Sequence, residues 1–137
     1  MRGLKTIRLK AYDYSENGYY FVTIVAKQRS QLFKDKEKLL ESELADLIAK
    51  VKGLSLDYFV VMPNHVHIIF VLESCELTLG EIVRRFKAKV SHSMGQNVWQ
   101  PNYYEHVIRS DQAVEKIREY IINNPAVELL KFEQFYK

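Results

Sequence analysis

The chain has 137 residues, of which 47% are apolar and 27% are charged, and its formal net charge is +3. This composition is that of a soluble globular protein and predicts one domain, residues 1–137, with its own hydrophobic core. No apolar run is long enough to span a bilayer, and the opening residues lack the apolar segment of a secretory signal. The single cysteine excludes an internal disulfide and a multi-cysteine zinc site, so we expect a reducing, cytoplasmic location.

The first half of the chain predicts a strand, a helix and a hairpin. Residues 19–26 are rich in β-branched and aromatic types, which favours a strand. Residues 36–52 carry leucine, isoleucine and valine at helical spacing, and Gly53 is a helix stop signal. Residues 55–62 and 65–72 are two further apolar runs separated only by a proline and an asparagine. Their closeness predicts an antiparallel hairpin.

The second half predicts a helix, a strand and a last helix. Thr78 lies three positions before Glu81, a capping-box spacing that begins a helix over 78–93. Residues 103–109 favour a fourth strand. Ser110 or Asp111 can cap a last predicted helix through about Asn123, which Pro125 ends. The order β-α-β-β-α-β-α predicts an α+β fold, an antiparallel sheet with helices packed on it.

Two histidines, His65 and His67, stand one residue apart in an apolar strand. Side chains on a strand alternate between faces, so both imidazoles point the same way. Together they can hold one divalent ion and leave its other positions open, as a Lewis-acid catalyst requires. The alternative interpretation is two polar side chains on a solvated face. A closed zinc site is disfavoured because Cys75 is the sole thiol.

A tyrosine and an asparagine, Tyr120 and Asn124, are four residues apart on the last predicted helix and share one face of it. The amide oxygen of Asn124 is a hard ligand that suits magnesium or manganese. The phenol of Tyr120 can act as a covalent nucleophile, and a nearby cation would stabilise its phenolate. The alternative is that Tyr120 packs at the edge of the core while Asn124 ends the helix.

Four stretches of the chain resemble one protein family, in the same order. Residues 62–70 (MPNHVHIIF) resemble the histidine-hydrophobic-histidine, or HUH, motif. Residues 99–109 (WQPNYYEHVIR) and 120–125 (YIINNP) resemble the signature of single-tyrosine transposases, especially the REP-associated tyrosine transposases. Residues 12–33 resemble the opening of the same group. An HUH motif alone has low specificity, but these blocks in this order are quite specific.

The resemblance implies a ferredoxin-like fold and a defined chemistry. It implies that His65 and His67 hold Mg²⁺ or Mn²⁺ and that Tyr120 is the nucleophile. Asn124 matches a position that is commonly Gln in insertion-sequence relatives and completes the metal site, although Asn is one methylene shorter. The substrate would be single-stranded DNA beside a hairpin, cleaved through a 5′-phosphotyrosine and later rejoined without ATP. Insertion-sequence relatives are dimers, so a homodimer is a further implication.

Further residues are predicted to contact DNA, because cations neutralise phosphates and aromatic rings stack on unpaired bases. This set comprises Arg84, Arg85, Lys87, Lys89, Tyr103 and Arg109. For the cations of residues 84–89 the alternative is a solvated helix face. Trp99 and Tyr104 are additional stacking candidates, but Trp99 and at least one of the two tyrosines are equally consistent with a core position. His92 is expected on the surface, and His106 has no assigned role.

Two other functions remain open from the sequence alone. One is a non-catalytic domain of the same fold that binds hairpin nucleic acid. The other is a rolling-circle replication initiator, which shares the order of histidines before tyrosine. The Trp-Gln and Tyr-Tyr-x-His blocks favour the transposase, and only the catalytic alternatives yield a denaturant-resistant protein–DNA adduct.

Overall fold

The computed structural model describes residues 17–108 together with Lys116 and Glu119, with the backbone alone for 104–108. Lys116 and Glu119 are helical and exposed. The elements follow the predicted order, within one or two residues at most ends: β1 (Gly18–Val25), a short 3-10 turn (Lys27–Arg29), α1 (Glu37–Lys50), β2 (Leu54–Met62), β3 (His65–Leu72), α2 (Leu79–Met94) and β4 (Tyr104–Ile108).

The four strands form one antiparallel sheet in the order β2-β3-β1-β4. β3 pairs with both β1 and β2, so β1 and β2 run parallel to each other with β3 between them. β4 pairs with the other edge of β1. This split β-α-β arrangement is the ferredoxin-like topology, and the predicted α+β fold class is confirmed.

One face of the sheet packs against both helices. Alternate residues of β1 and β3 meet the apolar stripes of the helices there, and the core includes Tyr20, Val22, Ile24, Val66, Ile68, Phe70, Leu40, Leu44, Ile82 and Phe86. The intervening residues of the two central strands point to the opposite face and are also buried, among them Phe21, Thr23 and Ile69. Neither α1 nor α2 is long and apolar enough to cross a membrane.

The observed ends of the helices test the start and stop signals predicted from the sequence. The Thr78 hydroxyl oxygen accepts a hydrogen bond from the backbone N–H of Glu81 at 3.3 Å, as the capping-box spacing predicts. The predicted stop at Gly53 is displaced, since α1 ends at Lys50. Gly53 instead turns the chain into β2 with φ +86°, and a Cβ there would lie 2.6 Å from the backbone of Cys75. Only glycine fits this turn without a shift of that backbone.

Candidate metal and DNA site

The turn of the β2–β3 hairpin fixes where β3 begins. It consists of Pro63 and Asn64. The backbone N–H of Ala26 donates to the Asn64 carbonyl at 2.8 Å, and that of Phe33 donates to the Pro63 carbonyl at 2.9 Å. The segment that follows β1 therefore holds the turn through two backbone hydrogen bonds. Because His65 comes directly after this turn, the same bonds fix its position.

The two histidines of β3 lie side by side on the sheet face opposite the helices. Their neighbours Val66 and Ile68 point into the helix-covered core, which confirms that both imidazoles share one face. His65 is 9% exposed and His67 is fully buried, so the alternative of a solvated polar pair does not hold. The ring centroids are 4.7 Å apart with the planes at 71°. Two imidazoles this close are placed to share one ion.

Each imidazole has a hydrogen-bond partner at Nδ1. The Nδ1 of His65 lies 2.6 Å from the Asn64 Oδ1. The Nδ1 of His67 lies 3.0 Å from the hydroxyl of Thr23, its cross-strand partner on β1. Both Nε2 atoms are buried. The ring nitrogen that would ligate a metal is therefore Nε2 in both residues.

Electrostatics favour the neutral, ligating form of His67. Burial, and then repulsion from His65, hold the pKa of His67 well below its ordinary value of 6.5. The ring is therefore uncharged at neutral pH, which is the state that binds a metal. The donor set fits a divalent ion, although residues 17–108 contain no group of three His, Cys, Asp or Glu able to hold one. The predicted third ligand, Asn124, lies outside the described residues, as do Tyr120 and Arg109.

We expect the free energy of unfolding to decrease as the pH falls below 6.5 in the absence of metal. Between the lowered folded pKa and the ordinary pKa, the unfolded chain binds a proton that folded His67 does not, so stability rises with pH. This contribution to stability is complete above the pKa that His67 has in the unfolded chain. It is lost as the pH falls toward the lower pKa that His67 has in the folded protein. Urea unfolding in a chelator across this range measures the slope. His67→Gln should flatten it, and an unchanged slope would contradict the assignment.

The arginines of α2 form a cluster with an acidic residue one turn before them. Arg84 and Arg85 are exposed, and the Nε of each donates to a Glu81 carboxylate oxygen at 2.9 Å. The two guanidinium groups hold the pKa of Glu81 down to about 2, so this carboxylate is charged at all ordinary pH values. It offsets part of the positive charge that the two arginines present to a polyanion.

The two lysines of α2 make contacts within the protein. Lys87 donates from Nζ to the carbonyls of Gln100 and Asn102, both at 3.2 Å, and burial lowers its pKa. Lys89 forms an ion pair with Asp46 and another with Glu43 at 3.6 Å, joining α2 to α1. Both lysines therefore have partners within the protein, and their contact with DNA stays a prediction.

The aromatic residues between positions 99 and 104 lie either in the hydrophobic core or on β4. Trp99 is 2% exposed and Tyr103 is 8% exposed, and both belong to the hydrophobic core. The predicted stacking of Tyr103 on an unpaired base is therefore replaced by packing inside the protein. Tyr104 and His106 lie on β4. His92 is exposed on α2, as expected.

Comparison with known proteins yields a family and several relatives. The family described as "Transposase IS200 like" matches residues 14–124. A Haemophilus influenzae protein, described as uncharacterized, is 36% identical, with 88% of this chain and 87% of that protein covered. The REP-associated tyrosine transposase of Escherichia coli is 28% identical over 82% of this chain and 68% of that protein.

Two solved structures share the fold. One is a REP-associated tyrosine transposase bound to a REP hairpin, with a TM-score of 0.74 and 28% identity over 86% of this chain and 72% of that one. The other is a putative transposase from Deinococcus radiodurans, with a TM-score of 0.59 and 24% identity over 85% of this chain and 95% of that one. The second match shows the common fold alone.

Proposed function

This chain belongs to the IS200-like transposase family, and from that premise we propose that it cleaves and rejoins single-stranded DNA beside hairpins through a tyrosine nucleophile. The observation that carries the proposal is the buried pair of His65 and His67 on one sheet face. Burial of two polar rings without a chemical role would cost free energy, because it removes their polar atoms from water. The REP hairpin in the structurally similar transposase supports hairpin DNA as the partner.

The proposed cofactor is Mg²⁺ or Mn²⁺. His65 and His67 would hold it through Nε2, and the amide oxygen of Asn124 would complete the protein ligands. Bound there, the ion supplies Lewis-acid polarisation of the scissile phosphate. The buried imidazole of His67, which its lowered pKa keeps neutral, contributes a ligand that needs no proton removal at neutral pH.

The proposed nucleophile is Tyr120. Its oxygen forms a bond to phosphorus while the bond from phosphorus to the 3′-oxygen breaks. The phenol proton is released, and the departing 3′-oxygen takes up a proton to become a hydroxyl. One phosphate ester is exchanged for another, so the 3′-hydroxyl can later attack the 5′-phosphotyrosine and restore the strand without an external energy source.

The proposed DNA contacts on α2 are Arg84 and Arg85, which are exposed cations of the predicted set within the described residues. We expect Glu81→Gln to tighten binding of a single-stranded hairpin severalfold at low salt, because it frees both guanidinium groups for phosphate. The slope of log affinity against log salt should steepen by about 0.7 for each additional phosphate that the protein neutralises. Fluorescence anisotropy over a salt series measures both quantities.

The matched control for this substitution is Glu41→Gln, which removes the same charge from an exposed position on α1. If the two variants tighten binding equally, the tighter binding comes from the change in net charge of the protein. In that case α2 is not the surface that contacts DNA. If Glu81→Gln leaves the affinity and the slope unchanged, Arg84 and Arg85 do not contact phosphate.

The test of the proposed function is a denaturing gel. The protein is mixed with labelled single-stranded DNA carrying a hairpin, with Mg²⁺, with Mn²⁺, or with a chelator. We expect a covalent adduct with either metal and none with the chelator. Hairpin binding with no adduct in any condition would refute catalysis and favour the binding-domain alternative. An adduct that is insensitive to the chelator would refute the metal.

A further inference from the structure

The side chain of Asn64, in the hairpin turn, contacts two separate parts of the chain. Its Oδ1 lies 2.6 Å from the Nδ1 of His65. Its Nδ2 donates to the backbone carbonyl of Arg29 at 3.5 Å. The amide thereby links the first strand residue of the HUH motif to the turn that follows β1.

The orientation of this amide has a chemical consequence for His65. The Arg29 carbonyl can only accept a hydrogen bond, so the amide nitrogen of Asn64 must face it and the amide oxygen must face the imidazole. That oxygen can also only accept. The Nδ1 of His65 must then carry the proton, and in the neutral ring the lone pair lies on Nε2.

The backbone around Asn64 holds the amide in place. The Asn64 carbonyl accepts from the Ala26 N–H, and the preceding carbonyl accepts from the Phe33 N–H. On the other side of the contact, Arg29 and its neighbour Gln28 have φ values of 54° and 56°. Residues other than glycine seldom adopt positive φ values. Such backbone conformations persist where surrounding contacts impose them.

His67 is held differently. Its partner is the hydroxyl of Thr23, which is 2% exposed and can donate or accept. Thr23 therefore tolerates either neutral form of His67, whereas Asn64 permits only one form of His65. The difference makes Asn64 the more specific of the two contacts.

We propose that Asn64 is a positioning residue that presets His65 in the tautomer whose Nε2 can ligate a divalent ion. This inference rests on the proposed metal site, and it names the group that prepares one of the two ligands. Contacts of this kind orient a metal-bound imidazole, and their removal commonly weakens metal affinity by about 10–100-fold.

The experiment reads the tautomer directly by ¹⁵N NMR of the histidine rings, without metal and well above the ordinary histidine pKa of about 6.5. We expect wild-type His65 to carry its proton on Nδ1. Asn64→Ala should convert it to a mixture of both neutral forms, while Asn64→Asp, which keeps an accepting oxygen, should preserve the Nδ1–H form.

The same proteins are titrated with Mn²⁺ by calorimetry. We expect Asn64→Ala to weaken binding by about 10–100-fold and Asn64→Asp to restore most of it. The matched control is Asn17→Ala, because Asn17 also uses Oδ1 to hold a turn, through the Ser74 N–H at 2.6 Å, at the far end of β1. It should leave both the His65 tautomer and the Mn²⁺ affinity unchanged.

Two results would overturn the inference. One is a wild-type His65 with its proton on Nε2, and the other is an Asn64→Ala variant whose tautomer and Mn²⁺ affinity match those of wild type. If instead the tautomer responds as expected but no protein binds Mn²⁺, the positioning role of Asn64 is supported and the proposed metal site is refuted.

Discussion

Tyr120→Phe should abolish the covalent protein–DNA adduct while hairpin binding persists. The substitution removes a single oxygen, the atom proposed to bond to phosphorus, and leaves the ring in place. Because no other group replaces a missing nucleophile, we expect the adduct-forming rate to fall by at least about a thousandfold. A denaturing gel measures the adduct, and anisotropy measures binding of the same labelled hairpin.

The matched control is Tyr58→Phe, which removes a phenol oxygen from a partly buried position on the outer strand β2 and should leave the adduct intact. An undiminished adduct from Tyr120→Phe would exclude Tyr120 as the nucleophile. Mixing Tyr120→Phe with His67→Gln tests the implied homodimer. If the tyrosine of one subunit serves the metal site of the other, the mixture should recover an adduct that neither variant forms alone.

Trp99→Ala should lower the free energy of unfolding by about 3–5 kcal/mol, as loss of a large buried aromatic commonly does. Trp99 packs between Phe33 and Phe86, with ring centroids 4.8 and 5.9 Å away. Its Nε1 donates to the Lys87 carbonyl at 3.0 Å. The substitution would leave a cavity and remove the indole hydrogen bond to this carbonyl. Urea unfolding followed by far-ultraviolet circular dichroism measures the loss, since the variant has no tryptophan fluorescence.

Two other substitutions calibrate this result. Trp99→Phe keeps much of the volume and loses the indole donor, so its cost should be smaller. Leu56→Ala removes a side chain that is 41% exposed, and it should change stability by no more than about 0.5 kcal/mol. If Trp99→Ala costs no more than Leu56→Ala, the packing of Trp99 does not stabilise the fold.

Trp99 also shows why a structural role was hard to separate from a DNA-binding one. Its place in the signature block suggested stacking on bases as readily as core packing. The structure shows residues 98–100 running beside the end of β1, where the Lys27 N–H donates to the Val98 carbonyl and the Gln100 N–H donates to the Val25 carbonyl. Trp99 is buried because this segment adds to the sheet, and no local pattern encodes that pairing.

Lys89 shows that the sequence alone does not reveal the partner of a charged side chain either. In sequence it belongs to a basic run with Arg84 and Arg85, and all three were predicted to meet DNA phosphates. Its ion-pair partner Asp46 lies 43 positions earlier, on another helix. Helical periodicity places Lys89 on a face of α2, but only the packing of the two helices decides which side chain faces it.

The sequence by itself determined the order of elements, the hairpin at Pro63-Asn64 and the shared face of His65 and His67. These features depend on short-range rules: the period of two along a strand, the period of 3.6 along a helix, and the conformations that proline and glycine allow. Tertiary structure alone decided the burial of both imidazoles, the contact of His67 with Thr23 and the partners of Lys87 and Lys89 within the protein. Those outcomes require residues distant in the chain to meet, and such pairings form only when the whole sheet and its helices assemble.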